Sequence, residues 1–139
     1  TDVLEKLKHL NVVRDSVPAC DFDCDEYLPM YVINDNNYQN LFVFEPGWDS
    51  IDNDKLFRIR TRDKRFTTDK GVRVGMTVKD LKAKYEIDGV DVGGETGIHV
   101  IVKGFKGSFG IQSPRINDWW KIDKQNIPDS LKIDEIIIL

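Results

Sequence analysis

Read for apolar and polar positions, the chain divides into short alternating runs separated by polar turns, with helical spacing in two places. Val3, Leu4, Leu7 and Leu10 make one stripe at helical spacing. Thr1 is placed to cap it and Asp2 and Glu5 fall in its first turn, so a helix is predicted from Thr1 to about Leu10. Val12 and Val13 read as a short extended piece. Asp15–Pro18 reads as a break, because a proline biases the residue before it away from helix. Tyr31–Ile33 and Tyr38–Phe44 are β-branched and aromatic runs around Asn34-Asp35-Asn36-Asn37, the pattern of a hairpin. Trp48–Asp54 is polar and reads as a loop. Lys55–Thr61 alternates, with Phe57 and Ile59 predicted to face a core and Arg58 and Arg60 to face away. Asp88–Gly97 carries Gly89, Gly93, Gly94 and Gly97 and reads as a mobile hairpin loop. Ile98–Val102, Ser108–Gln112 and Lys132–Leu139 read as strands. The run Ile136–Leu139 is apolar without alternation, which predicts burial on both faces.

The second helical spacing lies in Arg65–Tyr85, the stretch around which the rest is organised. Val72 and Val74 sit two apart, as on a strand, and Gly75 then permits a sharp corner. Thr77 is a good N-cap, since its hydroxyl can accept from a free N–H of the first helical turn. Asp80, three residues on, makes Thr77–Asp80 a shortened capping box and places negative charge at the positive end of the helix dipole. Val78, Leu81 and Tyr85 share one face, while Lys79, Lys82 and Lys84 fall elsewhere. A helix is therefore predicted over 77–85, too short to stand alone and obliged to pack on something. Together these elements predict a single α+β domain over residues 1–139. Its mainly antiparallel sheet would have roughly six to eight strands, with the N-terminal helix and the 77–85 helix packed on it.

Composition narrows the function classes. A net charge of −4 argues against a nucleic-acid surface, although Arg58, Arg60, Arg62, Lys64 and Arg65 lie close together. That cluster reads as a solvated strand face, or as a patch for an acidic partner. No run approaches the roughly 18 apolar residues of a membrane span. The chain begins at Thr1 without Met, so the expectation is a trimmed chain whose missing N-terminal part can have held a signal or a lipid anchor. Cys20 and Cys24 are close enough for a small disulfide loop, which leans toward an oxidising compartment; free thiols are the alternative. A C-x-x-C redox motif is excluded by the extra residue between them.

Catalytic and cofactor motifs are missing. There is no GxGxxG and no GxxxxGKS/T, and the turn from Gly71 to Gly75 reads as structural rather than as an anion site. Asp21, Asp23 and Asp25 have calcium-loop spacing, but Glu26 stands where such a loop needs glycine and Val32 where it needs glutamate. The expectation is an acidic surface loop with no metal and no cofactor. His99, with Glu95 nearby, is the only candidate for acid–base work. No G-x-S-x-G is present, and Ser108 and Ser113 lie in ordinary strand and turn contexts. Trp48, Trp119 and Trp120 are the candidate contact residues. Neighbouring tryptophans cannot both face one core, so one is expected to be partly exposed, and tryptophan is enriched at binding hot spots.

The stretch Gly75-Met76-Thr77-Val78-Lys79-Asp80-Leu81, ending at Tyr85, resembles the G-M-T-x-x-D/E-φ signature of small bacterial envelope lipoproteins of the SmpA/OmlA type. The longer layout closes on Ile127-Pro128-Asp129-Ser130-Leu131-Lys132-Ile133-Asp134-Glu135-Ile136 and resembles secreted or lipid-anchored bacterial domains of unknown function. The resemblance implies an envelope or extracellular setting and a binding role, and carries over no catalytic residue. The lipoproteins place their helices before a small sheet, whereas strands here flank the 77–85 helix on both sides. The expected function is thus a non-enzymatic secreted or envelope-associated binding domain. Its partner would be a protein, a small molecule or a glycan. Two alternatives stand beside it: a small hydrolase using His99 with a carboxylate, and a loop-type inhibitor of a secreted enzyme presenting Asp88–Gly97.

Overall fold

The computed structural model describes residues 9–18, 25, 27–37, 39–46, 56–93, 97–112 and 118–139. They form two compact units, one running up to Thr61 and including Leu139, the other spanning Arg62–Ile138.

The first unit is an antiparallel meander of β1 (Asn11–Pro18), β2 (Tyr27–Asn34), β3 (Asn40–Pro46) and β4 (Leu56–Thr61), each strand beside the next. The β2–β3 turn is closed locally: the Asp35 carboxylate accepts from the N–H groups of Asn37 (2.8 Å) and Gln39 (3.0 Å). Cross-strand partners Ile33–Phe42, Tyr31–Phe44 and Phe44–Ile59 put these apolar side chains on one face. Val43 and Glu45 lie on the other, opposite Arg60 and Arg58. Arg58 and Arg60 therefore do not form a solvated strand face. Both pair with the carboxylate of Glu45, which is only 4% exposed, and a buried carboxylate needs such partners to offset its lost hydration. Pro18 does not break the chain as predicted but ends β1. Among the described residues this strand bonds to β2 alone, and an edge strand is where proline is tolerated.

In the second unit, α1 (Val78–Lys84) precedes β5 (Ile87–Gly93), β6 (Gly97–Val102), β7 (Gly107–Ile111) and β8 (Ile133–Ile138), again in antiparallel succession. Val72, Val74, Val78, Leu81 and Tyr85 pack with Ile98, Val100, Phe109, Ile111, Ile133 and Ile136 in one core. Ile133 and Ile136 are three apart yet share that core because the register slips at Asp134, a bulge that swaps the faces of the strand.

The start of α1 is held twice over. Thr77 Oγ1 accepts from the Asp80 N–H (3.2 Å), and the Asp80 carboxylate accepts from the Thr77 N–H (2.9 Å) and hydroxyl (2.8 Å). The N–H groups of Val78 and Lys79, orphans in an isolated helix, donate to the carbonyls of Leu131 (2.8 Å) and Asp129 (3.0 Å). Lys82 Nζ reaches the Asp129 carboxylate at 2.6 Å. The two stretches quoted above for their resemblance, 75–85 and 127–136, are thus one packed unit. Thr77→Ala is expected to cost about 1 kcal/mol, read as a lower urea midpoint. The Asp80 carboxyl is held below its ordinary value of 3.8, chiefly by the Thr77 backbone N–H and then by the Thr77 hydroxyl. Its contribution to stability is therefore full above that value and is lost as pH falls through the lower folded value. Thr77→Ala, which keeps the backbone bond, should shrink this acid dependence without erasing it.

The predicted pair of helices packed on a sheet is not found. Among the described residues there is one α-helix, Val78–Lys84, and eight strands, so the α+β expectation gives way to an antiparallel β protein with a single helix. Residues 1–8 of the predicted N-terminal helix lie outside the described residues. At its far end His9 and Leu10 form a turn, and β1 begins at Asn11, where the β-branched pair Val12 and Val13 favours strand. The predicted loop Asp88–Gly97 is also corrected. Residues 88–93 belong to β5, paired with β6 from Ile87–Val102 to Gly93–Gly97. Val90 packs against the core, and the glycines concealed that alternation. Of the segment that the loop-type inhibitor reading would present, residues 88–93 and Gly97 are strand, and residues 94–96 lie outside the described residues. No helix among the described residues is long and apolar enough to cross a membrane.

Candidate interaction surface

Trp119 and Trp120 sit in a 3-10 turn, Trp119–Lys121, beside β5. Asp118 enters it in the left-handed region (φ 70°), and at three residues per turn neighbouring side chains point in different directions. Trp119 is half-buried and Trp120 is 60% exposed. Their rings meet edge to face at 6.1 Å and 81°, the arrangement favoured by the aromatic quadrupole.

The turn is pinned from below. The Asp123 carboxylate accepts from the N–H groups of Gln125 (2.7 Å) and Asn126 (3.0 Å), and Asn126 Oδ1 accepts from the Asp123 N–H (2.7 Å). Asn126 Nδ2 then donates to the Lys121 carbonyl at 2.9 Å, tying this loop to the turn. Ile122 and Ile127 anchor both into the core. Lys121 Nζ and the Asp118 carboxylate close the ends of the turn at 3.1 Å. An exposed indole on a backbone ordered in advance has little ordering cost left when a partner arrives.

The other candidates scatter. Trp48, Cys20, Cys24, Asp21, Asp23, Glu26, Glu95 and Ser113 lie outside the described residues, and Asp25 is exposed in a bend. His99 is half-buried on β6, on the face turned away from the core, with Asp91 of β5 opposite it and Ser108 of β7 on the same side. Glu135 of β8 continues that row beyond Gly110 and pairs with Arg62 at 3.3 Å. Among the described residues no group of three or more His, Cys, Asp or Glu could hold a metal ion. Near the turn, Lys103 holds the Glu86 carboxyl below its ordinary value by hydrogen bond and charge, and Glu86 raises Lys103 in return. Sequence reasoning missed β5 as a surface. The signal was present in Ile87, Val90 and Val92, apolar positions within a glycine-rich run.

No protein family and no curated protein matches this chain. Among solved structures, the crystal structure of the uncharacterised protein YfeY from Escherichia coli is similar, with a TM-score of 0.64 and 12% identity over 93% of this chain and 79% of that one. At that identity the likeness shows a shared fold alone.

Proposed function

We propose that the chain is a non-enzymatic binding domain working outside the cytoplasm, and that it meets its partner through the Trp119–Lys121 turn. The observation that carries this reading is Trp120, largely exposed on a turn held by Asp118, Asp123 and Asn126. A large apolar ring left in water on a rigid mount gains most from being covered. The resemblance of Gly75–Tyr85 to SmpA/OmlA-type envelope lipoproteins and the close pair Cys20 and Cys24 support an envelope or secreted setting, with a lipid anchor ahead of Thr1 as part of the proposal.

The test is retention of purified cell-wall glycans and of a bacterial envelope-protein fraction by immobilised protein. Wild type should retain a partner. Trp120→Ala should retain roughly tenfold less or lower, as for a hot-spot residue, with an unchanged urea midpoint because the side chain is mostly in water. Equal retention by both would end the reading. The setting has its own check: Cys20 and Cys24 should resist a thiol reagent in the native protein until reduced, and ready labelling would count against an oxidising compartment.

One observation favours the hydrolase alternative. His99 stands across from a carboxylate, Asp91, with the Ser108 position on the same face. A hydrolytic activity lost in His99→Ala and Ser108→Ala but intact in Trp120→Ala would replace the binding reading.

A further inference from the structure

Resting on the binding-domain reading, we propose that β5 is a docking strand and that its occupant is an extended, lysine- or arginine-rich segment of a partner protein, added to the sheet beside it. Among the described residues the ladder bonds of β5 run to β6 alone, so its outer row of N–H and C=O groups has no strand partner. Such an edge is a template for another chain, and proteins usually defend it with lysine, proline or inward charge. The contrast with β1, which also pairs on one side only, is informative. β1 carries Arg14 and ends in Pro18, while β5, Ile87-Asp-Gly-Val-Asp-Val-Gly93, has no lysine, arginine or proline; its charges are both acidic, and its one register irregularity lies at its start, between Ile87 and Gly89, leaving Val90–Gly93 regular. Seven residues are enough for strand addition.

Charge selects the occupant. The ionisable groups of β5 itself are Asp88 and Asp91, both exposed. Asp88 lies in the field of Lys103, which is paired with Glu86. Asp91 is opposite half-buried His99 of β6, and its carboxylate makes no hydrogen bond or ion pair among the described residues. An acidic strand laid here would meet like charge, and a basic one would pair with it. The Trp119–Lys121 turn, with its exposed Trp120, stands beside β5, and an exposed indole attracts the cation of a basic side chain.

The probe is an end-capped peptide of about seven residues alternating lysine with valine and threonine. It is compared with the same peptide carrying glutamate for lysine, and with a version N-methylated along one backbone edge. Amide NMR of the labelled protein should show shifts confined to β5, its neighbour β6 and the Trp120 indole, with the lysine peptide alone. Asp91→Lys should weaken that peptide roughly tenfold, from loss of attraction plus new repulsion, while protection of the β6 amides from exchange shows that the sheet is intact. Equal binding of the glutamate peptide, equal binding of the N-methylated peptide, or shifts elsewhere would each overturn the proposal. The two readings fail separately. A partner retained equally by wild type and Asp91→Lys removes the docking strand and leaves the binding domain. No partner retained by wild type removes the binding domain.

Discussion

Gly107→Ala is expected to lower the stability of the Arg62–Ile138 unit by about 4 kcal/mol or more, or to prevent it from folding. Gly107 opens β7 opposite Ile138, with φ at +152°. A Cβ placed there would stand 1.9 Å from the Ile137 carbonyl oxygen and 2.9 Å from its carbon. Those are backbone atoms of the neighbouring strand, so no side chain can swing aside. Relief requires β7 and β8 to separate, and β8 delivers Ile133 and Ile136 to the core. Gly104→Ala is the control. Gly104 also has positive φ (+79°) but a Cβ there meets nothing within 4 Å. It should lose only the left-handed strain of about 1–2 kcal/mol. Urea unfolding of both variants decides the matter. Should Gly107→Ala cost no more than Gly104→Ala, the close approach of β7 to β8 is not what selects glycine.

Phe109→Ala is expected to cost about 3–5 kcal/mol. Its ring is 0% exposed, at the middle of β7. It stacks on Phe105 at 4.9 Å and meets Tyr85, the last residue of the helical stripe, at 6.0 Å. Its removal leaves a cavity between sheet and helix that Leu81 and Val100, both fully buried, are too tightly held to fill. The Tyr85 hydroxyl is fixed to Asp69 at 2.8 Å, so that ring cannot slide inward without giving up its bond. Phe109→Leu, which keeps most of the volume, should cost much less. Chemical denaturation gives the difference, and binding of a hydrophobic dye by the alanine variant alone would report the opened core.

The helix was legible because its instructions are local. Thr77, Asp80 and the stripe Val78, Leu81 and Tyr85 lie within one short window, and capping is a contact between neighbours in the chain. The β2–β3 hairpin was legible for the same reason, since Asp35 bonds residues two and four positions on. That one of Trp119 and Trp120 would be partly exposed followed from their adjacency; that it is Trp120 did not. What escaped was long-range. Nothing near Arg58 and Arg60 announces that Glu45, thirteen residues before the first of them, is their counterion. The strand character of 88–93 is conferred by pairing with β6, against glycine's own weak preference for strand. The stripe Val3–Leu10 has helical period, but Val12 and Val13 next to it enter a strand whose register is set by β2. The candidate surface was half visible: its aromatic part could be named, and its edge could not, because an edge is a property of what fails to pair.

The tie between residues 75–82 and 129–133 also sets an order of events during synthesis. The helix carries its own cap, yet two of its first N–H groups and its Lys82 wait for Asp129 and Leu131, made about fifty residues later. A helix of this length has little stability alone. A nascent chain halted short of Asp129 would hold the helix without these bonds and without the packing of Ile133 and Ile136, and β7 without β8. The Arg62–Ile138 unit is therefore expected to complete its folding only after its last strand has emerged.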